Sequence, residues 1–241
     1  MLSRFINKIA VAAASLAVGM IVSASGADAA DFTFVAEDGL QPVDYAHIED
    51  ALNESRASVL SSLGLTELQG VVVRIWHNEE LYQDAMEATF GARAPGSRGY
   101  VYGDSEIRLL LTDRPTAARE AVHEFVHAAS LNLNPEFGNN PRWLWEAVAI
   151  YTANETPHAQ TIFLFQNGKC PSLASLNEPF NRGGSIYDVG YYLMEFVASE
   201  WNQAAIVDLV KTNGDIEAVL GIDTEAFETQ WCSFVRGKYS S

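Results

Sequence analysis

The chain reads as an α+β fold, a small α/β region followed by an all-helical one, and three observations predict it. Strand-like apolar runs occur only in the first half, at Asp31–Val35, Val71–Trp76 and Glu106–Thr112, and helical spacings separate them. After Asn134 every periodic segment is helical. A single helix to Leu133, free of internal Gly and Pro, joins the two regions, with Thr116 able to cap it after Pro115.

Taken in order, Tyr45–Leu63 spaces Ile48, Leu52, Val59 and Leu63 for one buried helix face. Val71–Trp76 is β-branched and reads as a strand, and Asn78 caps a helix that runs to Phe90. Gly91 to Gly99 mixes Gly, Pro, Arg and Ser and predicts an exposed loop. Gly99 to Gly103 then precedes the strand at Glu106–Thr112, where an extended substrate backbone could pair. Asn134, Pro135, Gly138, Asn139 and Asn140 break the chain, and Pro141 suits the first turn of a helix running to about Asn154. A Pro-, Asn- and Gly-rich stretch from Pro157 to Gly184 exceeds ordinary connection lengths and predicts a functional loop. Helices follow at Ser185–Trp201, Gln203–Thr212 and Thr224–Arg236. The organisation is a single domain over 30–241, with two lobes at approximately 30–133 and 134–241.

The chemistry is concentrated in His123-Glu124-Phe125-Val126-His127, with Glu146 following 19 positions after the second histidine. Residues four apart share a helix face, so both imidazoles can converge on one metal ion. Glu124, rotated about 100° from His123, lies beside that metal and can act as general base toward a water it activates. Glu146, in the second turn of the next helix, supplies a third ligand and leaves the fourth position open. His123 and His127 share a face with Thr116, Glu120 and Ser130, whereas Val122, Phe125, Val126, Ala129 and Leu133 form the apolar stripe. The bland alternative is two satisfied histidines on a half-buried helix.

His-Glu-Phe-Val-His followed by Trp-Leu-Trp-Glu-Ala-Val-Ala-Ile-Tyr resembles the gluzincin metallopeptidases, in particular small bacterial thermolysin-like and aminopeptidase-like domains of the peptidase MA kind. The similarity runs from Val71 to about Trp201 and implies a two-lobed zincin-like fold with the metal in the cleft. It also implies His123, His127 and Glu146 as zinc ligands, with Glu124 as base. Ala147 stands where the family usually has Gly, and no G-x-M-E-N-like segment precedes the motif, which argues against an aminopeptidase. Tyr187 opens a later helix, Tyr191 lies one turn on, and Ile186, Val189, Leu193 and Val197 form that helix's core stripe. The resemblance favours Tyr187 as the donor to a developing oxyanion, with Tyr191 and His158 as alternatives. Glu120 is one candidate partner for the second nitrogen of a metal-bound histidine. Trp143 and Trp145 read as helix-packing residues rather than as pocket walls, and His47 and His77 as surface or capping histidines.

The ends and the composition set the context. Residues 1–29 read as a signal peptide, with Arg4 and Lys8, an apolar Ile9–Val22 and an Ala27-Asp28-Ala29 cleavage site. The apolar run is short for a membrane span, so no stable membrane insertion follows cleavage. Export to the periplasm or medium is the expectation. Without that segment the charge moves from −16 to about −17, a surface that repels nucleic acid and anionic lipid and either favours neutral or basic substrates or is simply a solvated acidic face. A peptide or protein substrate is what the resemblance implies. Cys170 and Cys232, an even pair in an exported chain, read as a disulfide rather than a catalytic thiol, and its closure contributes on the order of 4 kcal/mol. The activity these features imply is hydrolysis of peptide bonds by one zinc ion. The rivals are a zinc-binding module without turnover and a zinc hydrolase of non-peptide envelope amides.

Overall fold

A computed structural model describes residues 31–68, 70–157, 170–178 and 185–239. The putting-together of strands and helices is α+β. Four strands, β1 (Phe32–Ala36), β2 (Val71–Trp76), β3 (Gly99–Tyr102) and β4 (Glu106–Leu110), form one sheet in the order β1-β2-β4-β3. β1, β2 and β4 run parallel, with Phe32 opposite Val71 and Val73 opposite Ile107. β3 runs antiparallel to β4 and is an edge strand, with Tyr100 opposite Arg108. The sequence reading left Gly99–Tyr102 outside any strand because its glycine, short length and neighbouring loop residues mask a period of two. The turn to β4 passes through Gly103 in the left-handed region (φ 67), which a glycine enters without penalty.

Alternation decides what each sheet face touches. Val71, Val73 and Ile75 of β2, with Ile107 and Leu109 of β4, point into the main core against α1 (Pro42–Ser62) and α3 (Arg114–Leu133). Ile48, Leu52, Val59 and Leu63 are fully buried there, as the helical spacing requires. Tyr100 and Leu110 turn to the opposite face, where α2 (Glu79–Phe90) covers them with Tyr82 and Met86. Asn78 caps α2 by accepting from the Glu80 and Leu81 amides, and Gly91 closes it in the left-handed conformation.

α3 begins three residues before the position read from sequence. Its cap is Asp113, whose carboxylate accepts from the Thr116 amide, so Pro115 sits inside the first turn and Thr116 is already helical. Everything described after it is helical: α4 (Arg142–Thr152), α5 (Leu173–Leu176), α6 (Ser185–Trp201), α7 (Gln203–Lys211), α8 (Ile216–Leu220) and α9 (Thr224–Tyr239). Pro141 is the N-cap of α4 rather than a residue of its first turn. The short helices α5 and α8 escaped the periodicity because one turn is too brief to show it. α4 packs on α3 and along α6, so the buried core runs without a break from the sheet to Trp231 of α9. Cys170 and Cys232 form a disulfide that ties the segment before α5 to α9. No helix among the described residues is long and apolar enough to cross a membrane. The signal-peptide reading of 1–29 falls on residues outside those described.

Candidate metal centre

α3 carries its polar residues into the interior. Where the sequence suggested one apolar and one polar face, the middle of the helix is buried all round: Phe125, Val126 and Ala129 toward the main core, His123 and His127 toward Glu146 of α4, and Glu124 toward β3. Val122 and Leu133, at the ends of the expected stripe, are only half-buried. Glu146 is reached from α4, and buried polar side chains of this kind need partners.

Those partners are largely one another. One donor atom each from His123, His127 and Glu146 lies within 4.8 Å of the others. Glu146 Oε2 is 3.3 Å from His123 Nε2 and 3.7 Å from His127 Nε2, yet it accepts no hydrogen bond of acceptable geometry. A buried carboxylate oxygen facing two imidazole nitrogens without a proper donor is a place where a cation could be held. Bonds of about 2.0–2.1 Å to a tetrahedral ion would set neighbouring donors roughly 3.3 Å apart, the separation of Glu146 Oε2 from His123 Nε2, so the three residues could hold a metal ion.

Each imidazole is oriented from behind. His123 Nδ1 meets Glu155 Oε1 at 2.9 Å, which turns Nε2 toward Glu146. Sequence reasoning offered Glu120 as one possibility for that role, left the group open, and missed Glu155, which lies beyond the end of α4. Asn154 adopts the left-handed conformation (φ 57) and the Glu155 amide donates to the Ile150 carbonyl, so the chain turns back and brings the carboxylate to His123. An asparagine closing a helix was the one available signal. Glu120 instead lines the cavity, its carboxyl raised by burial. His127 is stacked flat on Trp145, with centroids 3.9 Å apart and planes within 5°. Trp145 packs α4 on α3 as read and is in addition a wall of the cavity, whereas Trp143 only packs, against Phe227.

The electrostatics follow from burial and from these pairings. Burial alone would lower His123, but the Glu146 carboxylate close to Nε2 and the Glu155 carboxylate bonded to Nδ1 overcome it and raise the imidazole well above its ordinary value. Burial, against the pull of Glu146 and with the His123 charge adding, lowers His127 to about 4. Glu146 would be raised by burial, yet the two imidazoles hold it well below the carboxylate range. Glu124 is pushed up to about 8 by burial, with Glu146, Glu120 and Glu155 adding to the effect against His123.

Glu124 stands next to the three donors but outside the group they form. It is pressed against β3: a Cβ built on Gly99 would fall 2.7 Å from both Cγ and Oε1 of Glu124. The glycine that obscured the strand is what lets the edge strand approach this carboxylate. Tyr187, in the first turn of α6, lines the same cavity of about 860 Å³ and lies under the Arg142 guanidinium, 5.4 Å from its ring centroid. Its phenol is raised by burial and by the nearby Glu146 charge. Tyr191 is elsewhere, packed on Tyr151 and Tyr192. His158 falls outside the described residues. His77 is exposed and pairs with Asp38 at 2.8 Å beside the start of α2, and His47 is half-buried on α1.

Among known proteins, no family model matches the chain, and neither does any curated protein or solved structure.

Proposed function

We propose that the chain is an exported zinc metallopeptidase of gluzincin type, with a two-lobed zincin-like fold and the metal in the cleft between an α/β and a helical lobe. The observation that carries the reading is the separation of roles among the buried acids. Glu146 faces His123 and His127 as a ligand, Glu155 orients His123, and Glu124 lies beside the group without belonging to it. A purely structural metal site has no use for that last carboxylate.

Held by His123, His127 and Glu146, zinc would acidify a water and polarise a substrate carbonyl. Without a cation Glu124 is largely protonated at neutral pH, and a nearby divalent charge favours its ionised form, the form a base needs. Glu124 then takes the proton of the attacking water and passes it to the leaving amine. Tyr187 donates to the carbonyl oxygen as negative charge develops on it. β3, an edge strand lining the cavity, offers backbone groups to an extended peptide.

The test is metal analysis of the purified protein, followed by a proteome-derived peptide digest with and without a chelator. One zinc per chain and chelator-sensitive cleavage are expected. Glu124→Gln should keep the zinc and lose about 10²- to 10⁴-fold in turnover. Absence of stoichiometric zinc, even after reconstitution, sinks the reading. Zinc without peptide cleavage moves the assignment to a binding module or to non-peptide envelope amides.

A further inference from the structure

This chain has about twice as many acidic as basic residues, and its arginines are habitually neutralised. Arg56 pairs with Asp31, Arg74 with Glu37 and Glu106, Arg93 with three carboxylates of and near α2, Arg108 with Glu106, and Arg119 with Glu155. Two arginines that open on the metal-site cavity, Arg98 and Arg142, have no ion pair among the described residues, and neither side chain donates a hydrogen bond there. Arg114 and Arg236 are also unpaired among those residues but do not line this cavity.

Arg142 differs from an ordinary solvated arginine in three respects. It is half-buried, whereas Arg98 is exposed. It opens α4 one turn before Glu146, so the helix sets both side chains on one face. Its guanidinium carbon lies over the Tyr187 ring, 5.4 Å from the centroid, and its N–H groups donate no hydrogen bond among the described residues. The result is a planar fork of donors, held in orientation by an aromatic ring and opening on the cavity beside Glu146. A planar anion with two acceptor oxygens matches such a fork. An acidic protein that must admit an anionic group against its own field needs a cation in the pocket for it.

We propose that Arg142 is the anchor of a carboxylate-binding subsite, and that the substrates are peptides presenting a carboxylate one or two residues from the bond that is cut. The carboxylate comes either from a free C-terminus or from an Asp or Glu side chain. Arg98, on the loop entering β3, adds attraction without fixing geometry. This deepens the peptidase reading, because it names the chemistry of the substrate that the same cavity takes.

Three probes separate the sources: N-acetylated Ala-Phe-Ala as the free acid, the same peptide as its C-terminal amide, and the amide of Ala-Phe-Glu. Calorimetric titration into the metal-free protein keeps direct carboxylate–zinc contact out of the measurement. One or both carboxylate peptides should bind at least about tenfold more tightly than the neutral amide, the worth of one charge-assisted hydrogen-bonded pair. The peptide that gains identifies the source. Arg142→Gln should erase the difference, and Arg142→Lys, which keeps the charge but loses the fork, should retain part of it and controls for folding. Equal affinity for all three, including no measurable binding of any, overturns the proposal, as does a preference that survives Arg142→Gln. The peptidase reading fails separately: if the zinc-loaded protein cleaves no peptide while the metal-free protein still prefers the carboxylates, the subsite stands and the activity does not.

Discussion

Two residues that perform no chemistry control those that do. Gly99 has no strained backbone angle, so the backbone itself would accept an alanine. What would not accept it is Glu124, 2.7 Å from the new methyl. The carboxylate is the flexible partner, so it moves and the strand does not. Gly99→Ala should therefore fold and bind zinc normally but lose turnover on the scale of removing the base, about 10²- to 10⁴-fold. A variant with normal zinc content and wild-type turnover would show that Glu124 does not need that position. Glu155 acts one bond further out, through His123 Nδ1. Glu155→Gln keeps the shape but weakens the orienting charge, and carboxylates in this position are worth about 10- to 100-fold in metal affinity. Competition against a chelator of known affinity measures it, and an unchanged zinc affinity would return Glu155 to the role of a helix-end residue paired with Arg119.

At the level of elements, the site depends on how closely α4 and α6 cross. Glu146 and Ala147 are consecutive, so the residue that sets the crossing distance sits next to a candidate metal donor. Opposite Ala147 is Gly190 of α6, where a Cβ would lie 2.9 Å from Ile150 Cδ1 and 3.1 Å from the Ala147 Cα. Ala147 carries a methyl at this crossing, and a glycine on the facing helix makes room for it. Gly190→Ala gains about 1 kcal/mol of helix propensity but overpacks against backbone, which costs about 1–3 kcal/mol. The steric term wins because a Cα cannot rotate aside. A lowered denaturant midpoint is expected, and an unchanged or raised one would mean that the helices separate freely.

For the molecule as a whole, the buried polar cluster couples metal, proton and stability. In the metal-free protein His123 is raised, so it holds a proton at neutral pH and stabilises the fold fully below the ordinary histidine value. That contribution is lost as pH rises through the raised value. A metal needs Nε2 without its proton, so zinc uptake must release protons, and its apparent affinity must rise between about pH 6 and pH 8. Glu124, raised to about 8, adds to the release when a cation favours its ionised form. Zinc should also raise the melting temperature, more so at the upper end of that range. Calorimetry in buffers of different ionisation enthalpy counts the protons, and zinc binding without proton release would contradict the raised His123.

The sequence alone determined whatever depends on spacing along one element. The helical period of α1 named its buried residues, the β-branched run named β2, and Asn78 named the start of α2. The i, i+4 spacing of His123 and His127 put two possible metal donors on one face, and an even pair of cysteines named the disulfide. Only the tertiary structure decided what depends on approach between elements. Glu155 reaches His123 from beyond a helix end, Trp145 lies flat on His127, and Gly99 admits β3 to Glu124. Arg142 lies over Tyr187 across two helices 45 residues apart in sequence. The physical reason is the same in each case: periodicity reports which face of an element is apolar, whereas a contact between elements depends on their distance and orientation, which packing of the whole core sets.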